Sequence, residues 1–469
     1  MRLLLLILIF SIHTVWAQVS LNYDSIGSWR EVDFPLDGKN NTYNEVWGYT
    51  KDSLEYAVIG SRKGTHFLNV TDPSNIEQIK FIPGRYSDAT HRDYHDFRGY
   101  LYMVCDQSHS SVQIVNLNYL PDSISLVYDS DELLNTTHNI FIDTIGEKLY
   151  ACSVNDSDGT HYDLKIFDLS QSFIPKTLVE YNDRFDDIDA FHDIWVRNDT
   201  GIGNNGNTGL FFYDFHLPDT VILFSSLVGY SQKGYNHSGY ATEDNRYYYF
   251  ADENHGKALK ALDIRNLEDP TEVDLFNSGR NIDQTIPHNL IVHDTMLYVS
   301  YYHEGLQVFN ISDPADPVKS GHYHTYTSTL PSIPGEEPEI DYSGYKGAWG
   351  VYPFLPSGNI LLSDREKGLF VFKLKRKLTA YEKHVGYKAI YPNPFIEYFY
   401  ITYKFERIVK LKIFDLNGKL LENDVSYVKD KDLTKVIPSV DLSVGIYLLE
   451  VEGLTEKFTL KISKKKPIE

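Results

Sequence analysis

Residues 287–321 read PHNLIVHDTMLYVSYYHEGLQVFNISDPADPVKSG. Three short runs stand out: Leu290 to Val292, Met296 to Tyr301, and the LQVFNI that begins at Leu306. Each alternates in polarity and is rich in Val, Leu, Tyr and Phe, the pattern of half-buried strands. A His293-Asp294 turn, a Glu304-Gly305 break and an Asp-Pro pair separate them, where the chain must reverse. The stretch predicts a three-strand meander with a fourth strand after Pro317.

The same unit recurs along most of the chain. Seven opening strands begin at Asn44 (NEVWGY), His95 (HDFRGY), His138 (HNIFID), His192 (HDIWVR), His237 (HSGYAT), His288 (HNLIVH) and Trp349 (WGVYPF), 43 to 61 residues apart. Their third strands are THFLNV, VQIVNL, LKIFDL, LFFYDF, LKALDI, LQVFNI and LFVFKL. That period, at about four strands per unit, is the signature of β-propeller blades. Closing seven of them into a ring removes exposed sheet edges. The last unit ends at Leu374 without a fourth strand, and the lone strand SWREVDFP, Ser28 to Pro35, is expected to supply it. Asp199 to Thr208 and Thr325 to Tyr345 are rich in Gly, Asn or Pro and read as face loops.

The expected fold class is all-β: a seven-bladed β-propeller over 18–374, a charged linker over 375–386, and a small β-sandwich over 387–469. The sandwich is read from about six short strands and an Asn417-Gly418 turn. A chain of 469 residues needs more than one core, and 14% aromatic content, with 36 Tyr, suits folded β structure. The net charge of −21 repels phosphate backbones and argues against nucleic acid as a partner.

The opening MRLLLLILIFSIHTVWA, residues 1–17, has the layout of a secretory signal peptide, a basic residue, an apolar core and a small residue before Gln18. No Cys follows it, which argues against a lipid on a new N-terminus. No later apolar run approaches the about 18 residues of a membrane span, so no transmembrane segment is expected in the mature chain. Cys105 and Cys152 are too few for a disulfide framework and read as small buried hydrophobes.

Two resemblances add to this. YPNPF (391–395), IFDLNGK (413–419), DLSVGIYLLEV (441–451) and the closing KISKKK resemble the C-terminal sorting domain of the type IX secretion system. The resemblance implies a Bacteroidota host whose type IX secretion machinery recognises residues 387–469 and leaves the protein secreted or attached to the outer-membrane surface. The third strands, LQVFNISDPADP above all, look like LVIVD repeats, and the layout is similar to choice-of-anchor B family proteins. That family brings no established reaction or catalytic residue to carry over.

The sharpest chemical feature is positional. His95, His138, His192, His237 and His288 each open the strand expected to line the central channel, with Asn44 and Trp349 in the other two blades. Five imidazoles on an axis suit Zn²⁺ or another transition ion. The residues that follow, Glu45, Asp96, Asn139, Asp193, Ser238, Asn289 and Gly350, would suit Ca²⁺ if they face inward instead. Alternation along a strand allows one set or the other at a given level. The structural reading is that each His bonds the neighbouring blade and fixes register. The second-strand exits Asp106, Asp252-Glu253, His303-Glu304 and Asp364-Arg365-Glu366 fall near one another on one face and could serve acid/base work or bind cations, with solvated turns the preferred reading; the run His91 to Asp96 is dense in possible ligands, with a surface loop holding one buried His preferred. No phosphate loop, nucleophile elbow or HExxH motif occurs. The expectation is a binding module for an extracellular protein or glycan. The alternative is a metal-dependent hydrolase using the channel, and a divalent metal ion is the cofactor to test.

Overall fold

The computed structural model describes residues 20–31, 41–182, 189–280, 282–327, 340–375, 390–391, 395–401, 408–416, 418–430, 433–453, 457–464 and 466. The segment read as a signal peptide and most of the linker lie outside the described residues. Among the described residues there is no helix long and apolar enough to cross a membrane. Two compact units form, the larger carrying the blades and the smaller the C-terminal sheets.

The larger unit is a seven-bladed β-propeller of antiparallel sheets. Its inner strands are Tyr43–Lys51, Arg92–Phe97, Ile140–Asp143, Asp193–Arg197, Asn236–Ala241, Leu290–His293 and Ala348–Tyr352. Each packs on the next, and that of blade 7 packs on that of blade 1, so the ring closes. The middle strands are covered on both faces, which is why they read as nearly unbroken apolar runs. Val58, Phe67, Leu101 and Val115 fill the gap between blades 1 and 2. Val104, Ile114, Ile142 and Leu149 do so between blades 2 and 3. Each such side chain contributes about 1.5–3 kcal/mol by leaving water.

The chain's start clasps two blades. Ser20–Leu21 adds a fifth strand to blade 6, pairing with Tyr323 and His322. Asn22 turns the chain in the left-handed region (φ 61°), and Tyr23–Trp29 becomes the fourth strand of blade 7. Tyr23 pairs with Leu374 and Trp29 with Leu369. The closing strand therefore begins at Tyr23, upstream of the expected Ser28 to Pro35, and shares Ser28 and Trp29 with it; residues 32–40 lie outside the described residues. Gly27 explains the misreading: a Cβ there would stand 2.1 Å from the Pro73 carbonyl oxygen. The glycine permits close packing inside a strand, where composition suggests punctuation.

The Gly/Asn-rich stretch expected to be a loop contains Thr200–Asn205, the buried second strand of blade 4. Gly201 and Gly203 lie under the rings of Phe215 and Phe191, 2.3 and 2.7 Å from where a Cβ would stand. Cys105 and Cys152 are free and buried.

The smaller unit has two four-stranded sheets over one apolar cluster that includes Phe395, Phe399, Leu411, Ile413, Leu449 and Ile462. Its described residues hold eight strands where about six are expected. The polar stretch after the Asn-Gly turn supplies Leu420–Asn423, Ser426–Asp430 and Leu433–Ile437. There Val425 and Val436 are buried while Tyr427, Val428 and Ile437 are exposed, so no consistent apolar face marks the strands.

Candidate functional site

Four of the five histidines expected at the axis come together. His138 and His192 have ring centroids 4.2 Å apart, His192 and His237 4.1 Å, and His237 and His288 4.3 Å. Trp349 of blade 7 follows at 4.6 Å from His288. His91, not His95, takes the blade 2 place, stacked on His138 at 4.3 Å and 5.8 Å from Trp349. Six rings thus encircle the axis. Blade 1 offers no ring, and Asn44 donates instead to the Thr90 carbonyl at 3.3 Å. His95 lies apart, against Trp47 and Phe141.

Register explains the exchange. In blade 3 His138 and Asn139 together oppose one residue, Cys152: the His138 N–H donates to its carbonyl and its N–H donates to the Asn139 carbonyl. His288 and Asn289 oppose Ser300 in the same way. Register shifts mark the same place at Asn44-Glu45, His237 and Trp349-Gly350. Such a bulge turns two consecutive side chains to one side. Blade 2 pairs regularly from Arg92 to Phe97. Without a bulge, same-side residues are two apart, so its counterparts of a His-Asn pair are His91 and Asp93. His95 then opposes Tyr102, as Phe141 opposes Tyr150.

Both candidate layers therefore line the axis, at successive depths, rather than one excluding the other. Below the rings lie Glu45, Asp93, Asn139, Asp193, Ser238 and Asn289, around a cavity of about 100 Å³. Burial pushes Glu45 up to about 7, against hydrogen bonds from the Val46 N–H and Asn289. Burial likewise raises Asp193 to about 6 and Asp93 well above the carboxylate range.

Within the ring, His192 Nδ1 donates to the His237 carbonyl at 2.9 Å and His288 Nδ1 to the Trp349 carbonyl at 2.6 Å. These bonds tie neighbouring blades together. They also fix the tautomer, leaving each Nε2 with its lone pair free. Burial lowers His91 to about 3 and holds His192, His237 and His288 well below the usual imidazole range. Arg365 lies over the Trp349 ring at 4.5 Å and also opposes protonation of His91 and His288.

Above the ring opens a funnel of about 720 Å³ whose lining includes Asp106, His161, Asp189, Asn207, Tyr235 and Tyr345. His138, His192 and Glu253 line it too and form its floor. Two second-strand exits reach this floor. Asp106 accepts from His138 Nδ1 at 3.0 Å, with His91 Nδ1 at 3.9 Å. Glu253 stands 3.8 Å from His237 Nε2 and 3.7 Å from His288 Nε2, and takes the Tyr302 hydroxyl proton as its hydrogen-bond donor. Burial raises Glu253 to about 7, against that bond. Each carboxylate thus forms a group with two ring histidines whose ligand atoms lie within 4.8 Å. A third such group, Glu243, His293 and Asp294, lies at the exposed or half-exposed surface.

The remaining exits are buried rather than solvated. Asp252 and Lys260, both 0% exposed, pair at 2.8 Å. Glu304 accepts from the Tyr342 hydroxyl at 2.6 Å, and Asp364 accepts from the N–H groups of Glu366 and Lys367. The sequence offered Asp106 and Glu253 as carboxylates for acid/base work or cation binding and His91 in a ligand-dense run, but preferred solvated turns and a surface loop for them. That dense run was the available signal for His91.

Residues 389–465 match the family described as Secretion system C-terminal sorting domain. The protein is accordingly exported, to be secreted or attached to the cell surface. No curated protein matches the chain. Among solved structures, the β-propeller domain of Cps50 (Swd1) from Myceliophteria thermophila is 9% identical, with TM-score 0.49, over 76% of this chain and 100% of that one. The RRP9 WD40 repeats are 9% identical, with TM-score 0.49, over 76% of this chain and 98% of that one. A functionally unknown protein from Desulfotomaculum acetoxidans is 14% identical, with TM-score 0.38, over 60% of this chain and 89% of that one.

Proposed function

We propose that this exported propeller is a binding module and that the axial funnel is where it takes its ligand, the end of a glycan. The observation that carries the reading is the funnel itself: about 720 Å³, walled by Tyr235 and Tyr345 and edged by Asp189, Asn207 and His161. Aromatic rings offer an apolar face to a sugar ring, and carboxylate and amide groups meet its hydroxyls. Asp189 is already oriented for this, held by the Asn207 N–H at 2.7 Å. The LVIVD-like third strands support placing the chain among choice-of-anchor B proteins, and the leader-like start supports delivery from a Bacteroidota cell by the type IX route.

The test is calorimetric titration of the full chain with a panel of soluble oligosaccharides, with Tyr235→Ala alongside. Binding that weakens at least tenfold in the variant supports the reading. No glycan binding, or binding indifferent to Tyr235, overturns it.

A second reading, a metal-dependent hydrolase, is favoured by one feature: two imidazoles and a carboxylate grouped at the axis, the carboxylate lining the funnel. Turnover of ester, lactone or phosphoester substrates that depends on added Zn²⁺ supports this reading. Silence on all three classes with Zn²⁺ bound counts against it.

A further inference from the structure

The geometry points to a transition-metal site made by His237 Nε2, His288 Nε2 and Glu253, with its open coordination positions facing the funnel. The two histidines come from the inner ends of blades 5 and 6, and Glu253 from the exit of the second strand of blade 5. His237 Nε2 stands 3.8 Å from one Glu253 oxygen and His288 Nε2 3.7 Å from the other, near the about 3.4 Å edge that a tetrahedral ion with bonds near 2.1 Å requires. A carboxylate bound through both oxygens, or turned to offer one of them to both histidines, completes the set.

Two observations support this group. First, two of its three ligands are already oriented by partners of their own, as metal sites require. His288 gives its Nδ1 proton to the Trp349 carbonyl, so Nε2 is the lone-pair atom, and Tyr302 holds Glu253. Second, His237 is 4% exposed, and its Nε2 faces Glu253 across a gap of 3.8 Å, too long for a hydrogen bond and short enough for an ion to bridge. Such a buried imidazole is costly unless something on the axis engages it. The rival group of His91, Asp106 and His138 also holds buried atoms without a hydrogen-bond partner, His91 Nδ1 and Asp106 Oδ1, so the variants below set the two groups against each other.

Two imidazoles and one carboxylate suit Zn²⁺ and its first-row neighbours, and open positions leave room for water or a ligand's oxygen. The proposal is independent of what the funnel binds. A glycan-binding protein without metal, and a metal site without glycan binding, are both measurable outcomes of separate titrations.

The test is Zn²⁺ titration of the full, metal-stripped chain, read by calorimetry and by elemental analysis after dialysis, with circular dichroism confirming the fold. One ion per chain is expected at the axis. Glu253→Gln keeps an acceptor for Tyr302 and is the variant most apt to fold; it should weaken Zn²⁺ by more than the 10–100-fold that even outer-shell changes cost. His237→Ala should do the same. With Co²⁺ as the probe, visible absorption bands should appear in the native chain and fade in both variants. No retained Zn²⁺ in the native chain overturns the proposal. So does retention that survives Glu253→Gln but fails in Asp106→Asn, which would place the ion at the rival group.

Discussion

Replacing Glu45 by Gln should make the propeller more stable at pH 8 than at pH 5, relative to the unaltered chain. Glu45 is 7% exposed in the lower axial layer and burial raises it from 4.5 to about 7. The titratable groups that share its cavity are Asp93, His95, Asp193, Tyr94 and Tyr240, and burial raises both tyrosines further above the pH range used. An acid with a folded-state pKa above its unfolded one keeps a proton on folding between the two values. Stability from that group is therefore present at low pH and lost as pH rises from about 4.5 through 7. A difference of two and a half pKa units sets an upper limit of about 3 kcal/mol, of which about 2 kcal/mol falls between pH 5 and pH 8. Gln keeps an oxygen for the Asn289 amide, which donates to Glu45 Oε2 at 2.7 Å. Its second head-group atom faces the Val46 N–H as a protonated carboxyl would, so that cost is similar at both pH values. The Glu45 charge helps to raise Asp93, so its removal eases Asp93 at high pH and acts in the same direction. At about 2 °C per kcal/mol for a large domain, the gain in melting temperature should be about 4 °C larger at pH 8 than at pH 5. Differential scanning calorimetry in paired buffers measures it. An equal shift at both pH values, or a larger one at pH 5, would refute the reasoning.

Three further outcomes are expected. Gly27→Val drives a side chain into the Pro73 carbonyl and strains the clasp on blade 7; overpacking of about 1–3 kcal/mol should lower the melting temperature by several degrees, and an unchanged value would contradict the closing-strand assignment. Asp252→Ala leaves Lys260 buried without its partner, a loss of about 3–5 kcal/mol in denaturant unfolding; a loss under about 1 kcal/mol would show that the pair is not desolvated as described. Removing residues 387–469 should leave the protein inside the cell envelope, as fractionation and immunoblotting would show, and undiminished export would sink the sorting role of the matched segment.

The blades were legible because their middle strands are buried on both faces and carry unbroken apolar runs such as LYMVC and LFFYDF. Glycine misled twice for one physical reason. At Gly27 and at Gly201 and Gly203 it makes room for a neighbouring carbonyl or ring, whereas its composition signal suggests a turn. The strands between 420 and 437 were hidden because their apolar residues mark no consistent face. At the axis, the His-plus-neighbour pattern was readable wherever a bulge turns both residues inward. Blade 2 lacks the bulge, so a two-residue spacing replaced adjacency and His95-Asp96 imitated the motif by chemistry alone. Asp106 and Glu253 come from second-strand exits, far in sequence from some of the histidines they meet. Only the closed ring brings them onto the funnel floor.

The most direct measurement is anomalous diffraction at the zinc edge from crystals of the full chain grown with Zn²⁺. One strong peak is expected about 2.0–2.2 Å from His237 Nε2, His288 Nε2 and a Glu253 oxygen. A peak only beside His138 and Asp106, a peak only at the protein surface, or none at all would contradict the axial site.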